Sequence, residues 1–174
     1  MQTRTLTKGH ARATAILVVA ALAATSPAAA DCPFKQAVYT QPESSYVLRF
    51  APSRELGRFP GTTNAFTIEG KDLKKPLTGW VIWNNGESRS EGSAMLDCPE
   101  EASSNEDFAA CTHWEGVMYS LIGGDAILLP GEDEAPPAVI LLPDFGRRLR
   151  YSLIGDIGTE EVPWDVFRFV RCGE

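Results

Sequence analysis

One stretch decides how this chain folds: Leu77-Thr-Gly-Trp-Val-Ile-Trp83, then Asn-Asn85-Gly86, then Glu-Ser-Arg-Ser-Glu91. Asn85-Gly86 between two extended segments predicts a tight β-hairpin, because a type I′ turn needs positive φ at both central positions. Residues 80–83 are all apolar, which is typical of a strand in the interior of a sheet. With a two-residue turn, Trp83 stands opposite Ser88 and Trp80 opposite Glu91.

Short extended segments continue this pattern along the chain. Alternating apolar and polar residues, separated by Gly and Pro, predict further strands at 36–40, 45–51, 64–69, 113–122, 126–129, 138–142, 148–154 and 164–171. Segments 126–129 and 138–142 are expected to pair as a second hairpin and to be buried on both faces, since both are continuously apolar. The sequence therefore predicts an all-β fold, an antiparallel sandwich or small barrel of roughly nine short strands stapled by disulfides.

The beginning of the chain has the features of an export signal. A basic head precedes an apolar segment, 15–24, that is too short to span a bilayer, and alanines 28–30 offer a cleavage site. We predict that residues 1–30 are a cleaved secretory signal peptide and that residues 31–174 form a single all-β domain. We expect a periplasmic or secreted bacterial protein without membrane insertion after cleavage.

The mature chain is strongly acidic. Residues 31–174 contain 13 basic and 23 acidic residues, a net charge of −10. Nucleic acid and anionic membrane surfaces are therefore poor candidate partners. The acids are concentrated, because residues 101–146 contain nine carboxylates and no lysine or arginine. This region favours a basic protein as a partner.

Four cysteines in an exported chain predict two disulfides. Three pairings are possible, and we expect Cys98–Cys111, which closes a short polar loop, and Cys32–Cys172, which joins the chain ends. The chain-entropy argument gives roughly 3 kcal/mol for the local disulfide and roughly 5 kcal/mol for the terminal one.

The sequence contains no motif for catalysis or cofactor binding. His113 is the one histidine after the signal peptide, and no Gly-x-Ser-x-Gly, Cys-x-x-Cys, Walker or Gly-x-Gly-x-x-Gly motif occurs. We therefore predict no cofactor and no metal site, and we assign no catalytic residue. A pair of carboxylates, as used in glycoside hydrolysis, is not visible as a motif, and many acids are available to form one.

Two loops of the acidic region, 100–107 and 131–134, are candidate binding sites. Their carboxylates could receive a cationic protein or calcium, although residues 132–134 lack the Asp-x-Asp-x-Asp-Gly spacing of a calcium loop. The alternative is that they only keep the domain soluble. The acidic candidates are Glu101, Glu106, Asp107, Glu132, Asp133 and Glu134.

Arginines cluster near the C-terminus. Arg148 and Arg150 could contact an anionic ligand through bidentate hydrogen bonds, together with Arg168 and Arg171. The alternative is cross-strand pairing with carboxylates. The candidate carboxylates are Asp156, Glu160, Glu161 and Asp165.

Trp80 and Trp83 lie on opposite faces of their predicted strand, so one of them could belong to an exposed recognition patch. The alternative is that both are core residues, since tryptophan is highly buried on average. Trp114 and Trp164 are expected in the core.

These patterns favour a non-enzymatic binding or inhibitory module, expected to be monomeric, with a cationic protein as the sharpest candidate partner. The first alternative is a small extracytoplasmic hydrolase that uses carboxylates on cell-wall or other glycans. The second alternative is a structural component of the cell envelope.

Overall fold

The computed structural model describes residues 32–56, 59–86, 89–99, 101–102, 104–152, 161 and 163–173. The signal-peptide prediction lies outside these residues. Within them, ten antiparallel strands form one sheet that curls into a half-barrel, which confirms the all-β prediction.

The strands are β1 (Ala37–Thr40), β2 (Val47–Ala51), β3 (Thr62–Glu69), β4 (Leu77–Ile82), β5 (Glu91–Met95), β6 (Thr112–Gly116), β7 (Tyr119–Ile122), β8 (Asp125–Leu128), β9 (Val139–Leu141) and β10 (Val166–Cys172). The helices are α1 (Ser53–Leu56), α2 (Asn105–Cys111) and α3 (Phe145–Ser152), and a 3₁₀ turn covers Phe34–Gln36. Strand order across the sheet is β6-β5-β4-β3-β2-β1-β10-β9-β7-β8, so β6 and β8 are its two edges.

The Asn85-Gly86 turn is confirmed, but the predicted register is wrong. Both residues have positive φ, 52° and 79°. Pairing of β4 with β5 begins only at Ile82 and Glu91, so Trp80 stands opposite Ser93. The connection between the paired residues is therefore longer than a two-residue turn, and a register shift of two residues leaves the side chains of β4 and β5 on their expected faces. On the other side of β4, the backbone N–H of Trp83 donates to the carbonyl of Gly61, just before β3, at 3.0 Å.

The predicted second hairpin is wrong, because β8 pairs with β7 and not with β9. Gly123 and Gly124, with φ of 63° and 98°, form a two-residue turn directly before β8. Pairing of β8 with β7 closes only this short turn, whereas pairing with β9 would close the longer connection after β8. The shorter loop costs less conformational entropy. All four residues of β8 are exposed, which contradicts the predicted burial on both faces.

The predicted strand 113–122 is divided into β6 and β7. The chain crosses from one edge of the sheet towards the other through residues 117–118, and Met118 is buried there. This crossing brings the two ends of the curled sheet near each other without pairing them.

The predicted strand 148–154 is also wrong, because residues 145–152 form helix α3. Phe145 and Leu149, one helical turn apart, are fully buried, whereas Tyr151 is 66% exposed. Burial therefore follows the helical period and not the alternation of a strand. Residues 153 and 154 lie outside the described part of the chain.

The core fills the concave side of the half-barrel. Aromatic rings dominate it: Phe34 packs on Phe50 with centroids 4.1 Å apart, and Phe145 of α3 packs edge-on against Trp114. Burial of the Tyr46 phenol, with Asp72 and Glu161 nearby, raises its pKa to about 12. The fully buried large side chains are Trp114, Tyr39, Tyr46, Phe34, Phe66, Phe145, Phe167, Leu48, Ile68, Leu77, Met118 and Ile140.

Both predicted disulfides are confirmed. Cys32–Cys172 joins the chain ends with Cα atoms 6.2 Å apart, and Cys98–Cys111 closes the loop that contains α2, with Cα atoms 5.2 Å apart. Two disulfides fit an oxidising, extracytoplasmic environment.

Candidate functional site

Trp80 belongs to a small apolar cluster on the outer, convex face of the sheet. It is 5% exposed and packs with Ala65 and Met95 beneath Leu56 of α1 and Phe108 of α2. Its indole N–H donates to the backbone carbonyl of Leu56. Trp80 is therefore a buried packing residue, which was the alternative to an exposed recognition patch.

Trp83 is 53% exposed at the end of β4. The loop that it begins returns to the sheet through Arg89, whose guanidinium donates to the phenol oxygen of Tyr119 at 2.5 Å and lies over that ring. Tyr119 is the first residue of β7 and pairs with Leu128 of β8. The structure thus places the loop that follows Trp83 beside the β7–β8 hairpin.

Carboxylates of the first acidic loop lie at the start of α2. Glu101 and Glu106 are exposed. Asp107 accepts from the backbone N–H of Ser104 at 3.1 Å, and the Ser104 hydroxyl accepts from the N–H of Asp107 at 3.2 Å, which is a capping box. One of the three acidic candidates therefore has a structural role.

Segment 131–134, the second acidic loop, contacts the beginning of the described chain through Lys35 and the start of α1 through Ser53. Glu132 accepts from the backbone N–H of Ser53 at 2.9 Å, and Asp133 forms an ion pair of 2.5 Å with Lys35. Glu134 accepts from the N–H of Gly131 at 2.8 Å. These three carboxylates hold the loop in place, and no group of three metal-ligating side chains occurs among the described residues.

Arg148 and Arg150 are exposed on α3, while Arg168 and Arg171 are exposed on β10. Two of the carboxylates proposed as their partners are engaged elsewhere. Glu161 pairs with Lys71 at 2.7 Å, and Asp165 accepts from backbone N–H groups at the start of α3. The other two, at positions 156 and 160, lie outside the described residues.

Asp144 at the start of α3 does form an ion pair, with Arg147. The hydrogen bond from that guanidinium holds the pKa of Asp144 below its ordinary value. This contact is local to the helix, so it stabilises α3 and does not create a binding site.

The β7–β8 hairpin is an exposed surface that the sequence analysis did not identify. Ile122, Ile127 and Leu128 are each about half exposed on the edge strand or its partner. The apolar run was interpreted as a buried strand, and the Gly123-Gly124 turn was the signal that could have corrected this interpretation. A pocket of about 160 Å³ lies between this hairpin and the β4–β5 loop, with Leu128 and Ser90 in its lining.

A larger pocket, of about 350 Å³, lies on the outer face. Its lining includes two carboxylates, Glu55 and Asp97, together with Trp80 and Cys98. Asp97 forms an ion pair of 2.7 Å with Lys75.

The prediction that Trp164 belongs to the core is wrong, since its side chain is 61% exposed beside β10. Trp114, by contrast, is fully buried as predicted, and its indole N–H donates to the carbonyl of Pro143 at 3.0 Å.

Comparison with protein families, with curated proteins and with solved structures finds no match to this chain. In the described part of the chain, no helix has the length and apolar character needed to cross a membrane.

Proposed function

We propose that this protein is an exported, non-enzymatic binding module that receives an extended cationic and apolar segment of a partner protein along β8. One observation carries the proposal: β8 is an edge strand whose four residues are all exposed. Soluble proteins usually protect such edges, since an unpaired strand invites pairing with another chain.

Apart from its short length and Asp125, the edge of β8 carries few of the usual protective devices. Residues 125–128 contain no lysine, arginine or proline, and their pairing with β7 runs through four consecutive residue pairs without a bulge. The Gly123-Gly124 turn makes Ile122 and Asp125 the closing hydrogen-bonded pair of the hairpin. It follows that the backbone N–H groups of Ala126 and Leu128 point to the edge with which no other described strand pairs, where an added strand can accept from them.

Side chains around the edge favour a segment that alternates apolar and basic residues. Ile127 and Leu128 point to opposite faces of β8, and both offer exposed apolar surface. Asp125 lies in the same strand, within the stretch 101–146 that contains nine acids and no base. Exposed Trp83 begins the neighbouring loop, and aromatic residues are enriched in binding hot spots. A cationic partner is therefore attracted over a distance and held by the strand.

Titration of a fluorescent alternating leucine–lysine peptide into the oxidised protein tests this proposal. We expect saturable binding that weakens with added salt, because the charge attraction is screened, but that persists through backbone pairing. Ala126→Pro is the sharpest variant, since proline removes an outward N–H without removing a hydrogen bond to β7. It should weaken binding at least about tenfold.

Matched variants separate edge binding from nonspecific attraction. Ile127→Lys adds a charge to the edge and should also weaken binding. Val170→Lys adds the same charge at an equally exposed site on β10 and should leave binding within about twofold. Equal binding by Ala126→Pro and the unmodified protein would show that β8 is not the docking strand. Equal binding of oligolysine would show that charge alone is recognised.

A second candidate function, glycoside hydrolysis, is favoured by the outer pocket, because Glu55 and Asp97 line it together. Glu55→Gln and Asp97→Asn would then each abolish release of a chromophore from an aryl oligosaccharide. Activity that survives both substitutions would remove this candidate.

We further propose that the protein acts as a monomer in the periplasm or outside the cell. The two disulfides and the export-type N-terminal sequence support this location.

A further inference from the structure

The backbone of Trp164 is held by a buried amide. The Gln41 side chain, 3% exposed, accepts from the backbone N–H of Trp164 at 2.9 Å and donates to the backbone carbonyl of the same residue. The Ser44 hydroxyl donates to the same Gln41 oxygen at 2.5 Å, which fixes the amide. Beyond Trp164, the carbonyl of Asp165 accepts from the N–H of Leu142 at 2.8 Å. The backbone on both sides of the indole is therefore tightly anchored.

This anchored residue nevertheless presents most of its indole to solvent. Pro163, its neighbour, is buried, so the segment itself is packed against the protein. The exposed part of the ring contributes little to folding, whereas the anchored backbone beneath it reduces the entropy lost on binding a ligand. The indole is thus an exposed aromatic surface carried on an anchored backbone.

The indole forms one wall of a mostly apolar pocket of about 270 Å³, lined by Pro42, Glu43, Trp164, Val166 and Arg168. Its volume is just below the range of about 300–1,000 Å³ typical of pockets for drug-sized ligands, so it has room for one ring. Two residues in the lining carry opposite charges, Glu43 and Arg168. An apolar surface with few polar groups is the usual composition of a small-molecule site.

We propose that this pocket binds a carboxylate-bearing sugar residue. The apolar C–H face of the sugar ring packs on the Trp164 indole, the carboxylate pairs with Arg168, and ring hydroxyls donate to Glu43. A simple cation is repelled by Arg168 and a simple anion by Glu43, while a wholly apolar ligand would leave both charges without partners. A sugar acid complements all three features together. This site lies apart from β8 and does not depend on the function proposed above.

Tryptophan fluorescence and calorimetry with methyl glucuronide test the proposal on the oxidised protein. Methyl glucoside, which lacks only the carboxylate, and acetate, which lacks the ring, are the matched probes. We expect methyl glucuronide to bind at least about tenfold more tightly than either, because each lacks one of the two main contacts. Trp164→Ala and Arg168→Gln should each weaken glucuronide binding by a similar factor.

Control variants make the result specific. Trp83→Ala removes a comparably exposed indole elsewhere, and Arg148→Gln removes an exposed arginine of α3; both should leave glucuronide binding unchanged. Because the Trp164 side chain is largely exposed, its removal should leave the melting temperature nearly unchanged, which confirms that the variant is folded. Equal binding of glucuronide and glucoside, or unaltered glucuronide binding in folded Trp164→Ala, would overturn the proposal.

Discussion

The carboxylate of Asp165 accepts a hydrogen bond from the backbone N–H of Asp144 at 2.8 Å. The same carboxylate accepts from the N–H of Gly146 at 3.3 Å, so a residue just before the last strand caps the first turn of α3. Two elements that are distant in the sequence are thereby joined by one side chain. The helix depends on this contact, because the first N–H groups of a helix lack partners within it.

We predict that Asp165→Ala lowers the free energy of unfolding by about 1–2 kcal/mol, the usual effect of losing a capping side chain. Asp165→Asn retains one acceptor oxygen and should lower it by a smaller amount. Urea denaturation followed by circular dichroism measures both. Equal stability of the alanine variant and the unmodified protein would contradict the capping role.

Gly146 gives a second test of the contact between the start of α3 and the segment just before β10. A Cβ atom at this position would lie 1.7 Å from the carbonyl oxygen of Pro163, which is backbone and cannot rotate away. We predict that Gly146→Ala destabilises the fold by about 3 kcal/mol, although alanine is the better helix former by about 1 kcal/mol.

A glycine-to-alanine substitution at a position with room for a Cβ atom serves as the control for Gly146→Ala. At Gly131 the nearest atoms to an added Cβ lie 3.8 Å away, in the flexible Glu134 side chain. Gly131→Ala should therefore change the unfolding free energy by less than about 0.5 kcal/mol in the same urea experiment. Similar stabilities for the two variants would show that the contact with Pro163 relaxes.

Truncation of Trp80 and of Trp83, three residues apart, should lower stability by very different amounts. Trp80→Ala empties the centre of the outer apolar cluster and should cost about 3–5 kcal/mol of stability. Trp83→Ala removes an exposed ring and should cost less than about 0.5 kcal/mol. Thermal and urea unfolding of the two variants measure the difference. A large loss for Trp83→Ala would place its indole in a packing role.

Local sequence signals predicted the disulfides and the position of the Asn85-Gly86 turn, but not the strand register after that turn. The even cysteine count predicted two disulfides, and the short loop and the two chain ends favoured, among three possible pairings, the one that the structure contains. Asn85-Gly86 identified the turn, but pairing of β4 with β5 begins only at Ile82 and Glu91. The turn signal alone does not fix the length of the connection, so it did not give the register.

Contacts between distant parts of the chain determine the features that the sequence did not predict correctly. Residues 148–152 alternate well enough for a strand, yet burial of Leu149 and the Asp165 carboxylate select a helix. Residues 126–128 are apolar enough for a core strand, yet they form an edge. The backbone of Trp164 is anchored by the Gln41 amide, which is distant in sequence, and its side chain is exposed beside β10. The sequence therefore predicted the fold class and the acidic character, whereas the two proposed binding surfaces required the structure.

Glu161 supplies a prediction about acid stability. It accepts from Lys71 and from the backbone N–H of Ser45 at 2.9 Å, and these hydrogen bonds lower its pKa from 4.5 to about 2. The unfolded chain takes up this proton first as the pH falls, so the contribution of Glu161 is complete above pH 4.5 and is lost towards pH 2. Glu161→Gln should therefore flatten the fall in urea midpoint across that interval, and Lys71→Met should flatten it in part. An unchanged slope in both variants would contradict the assignment.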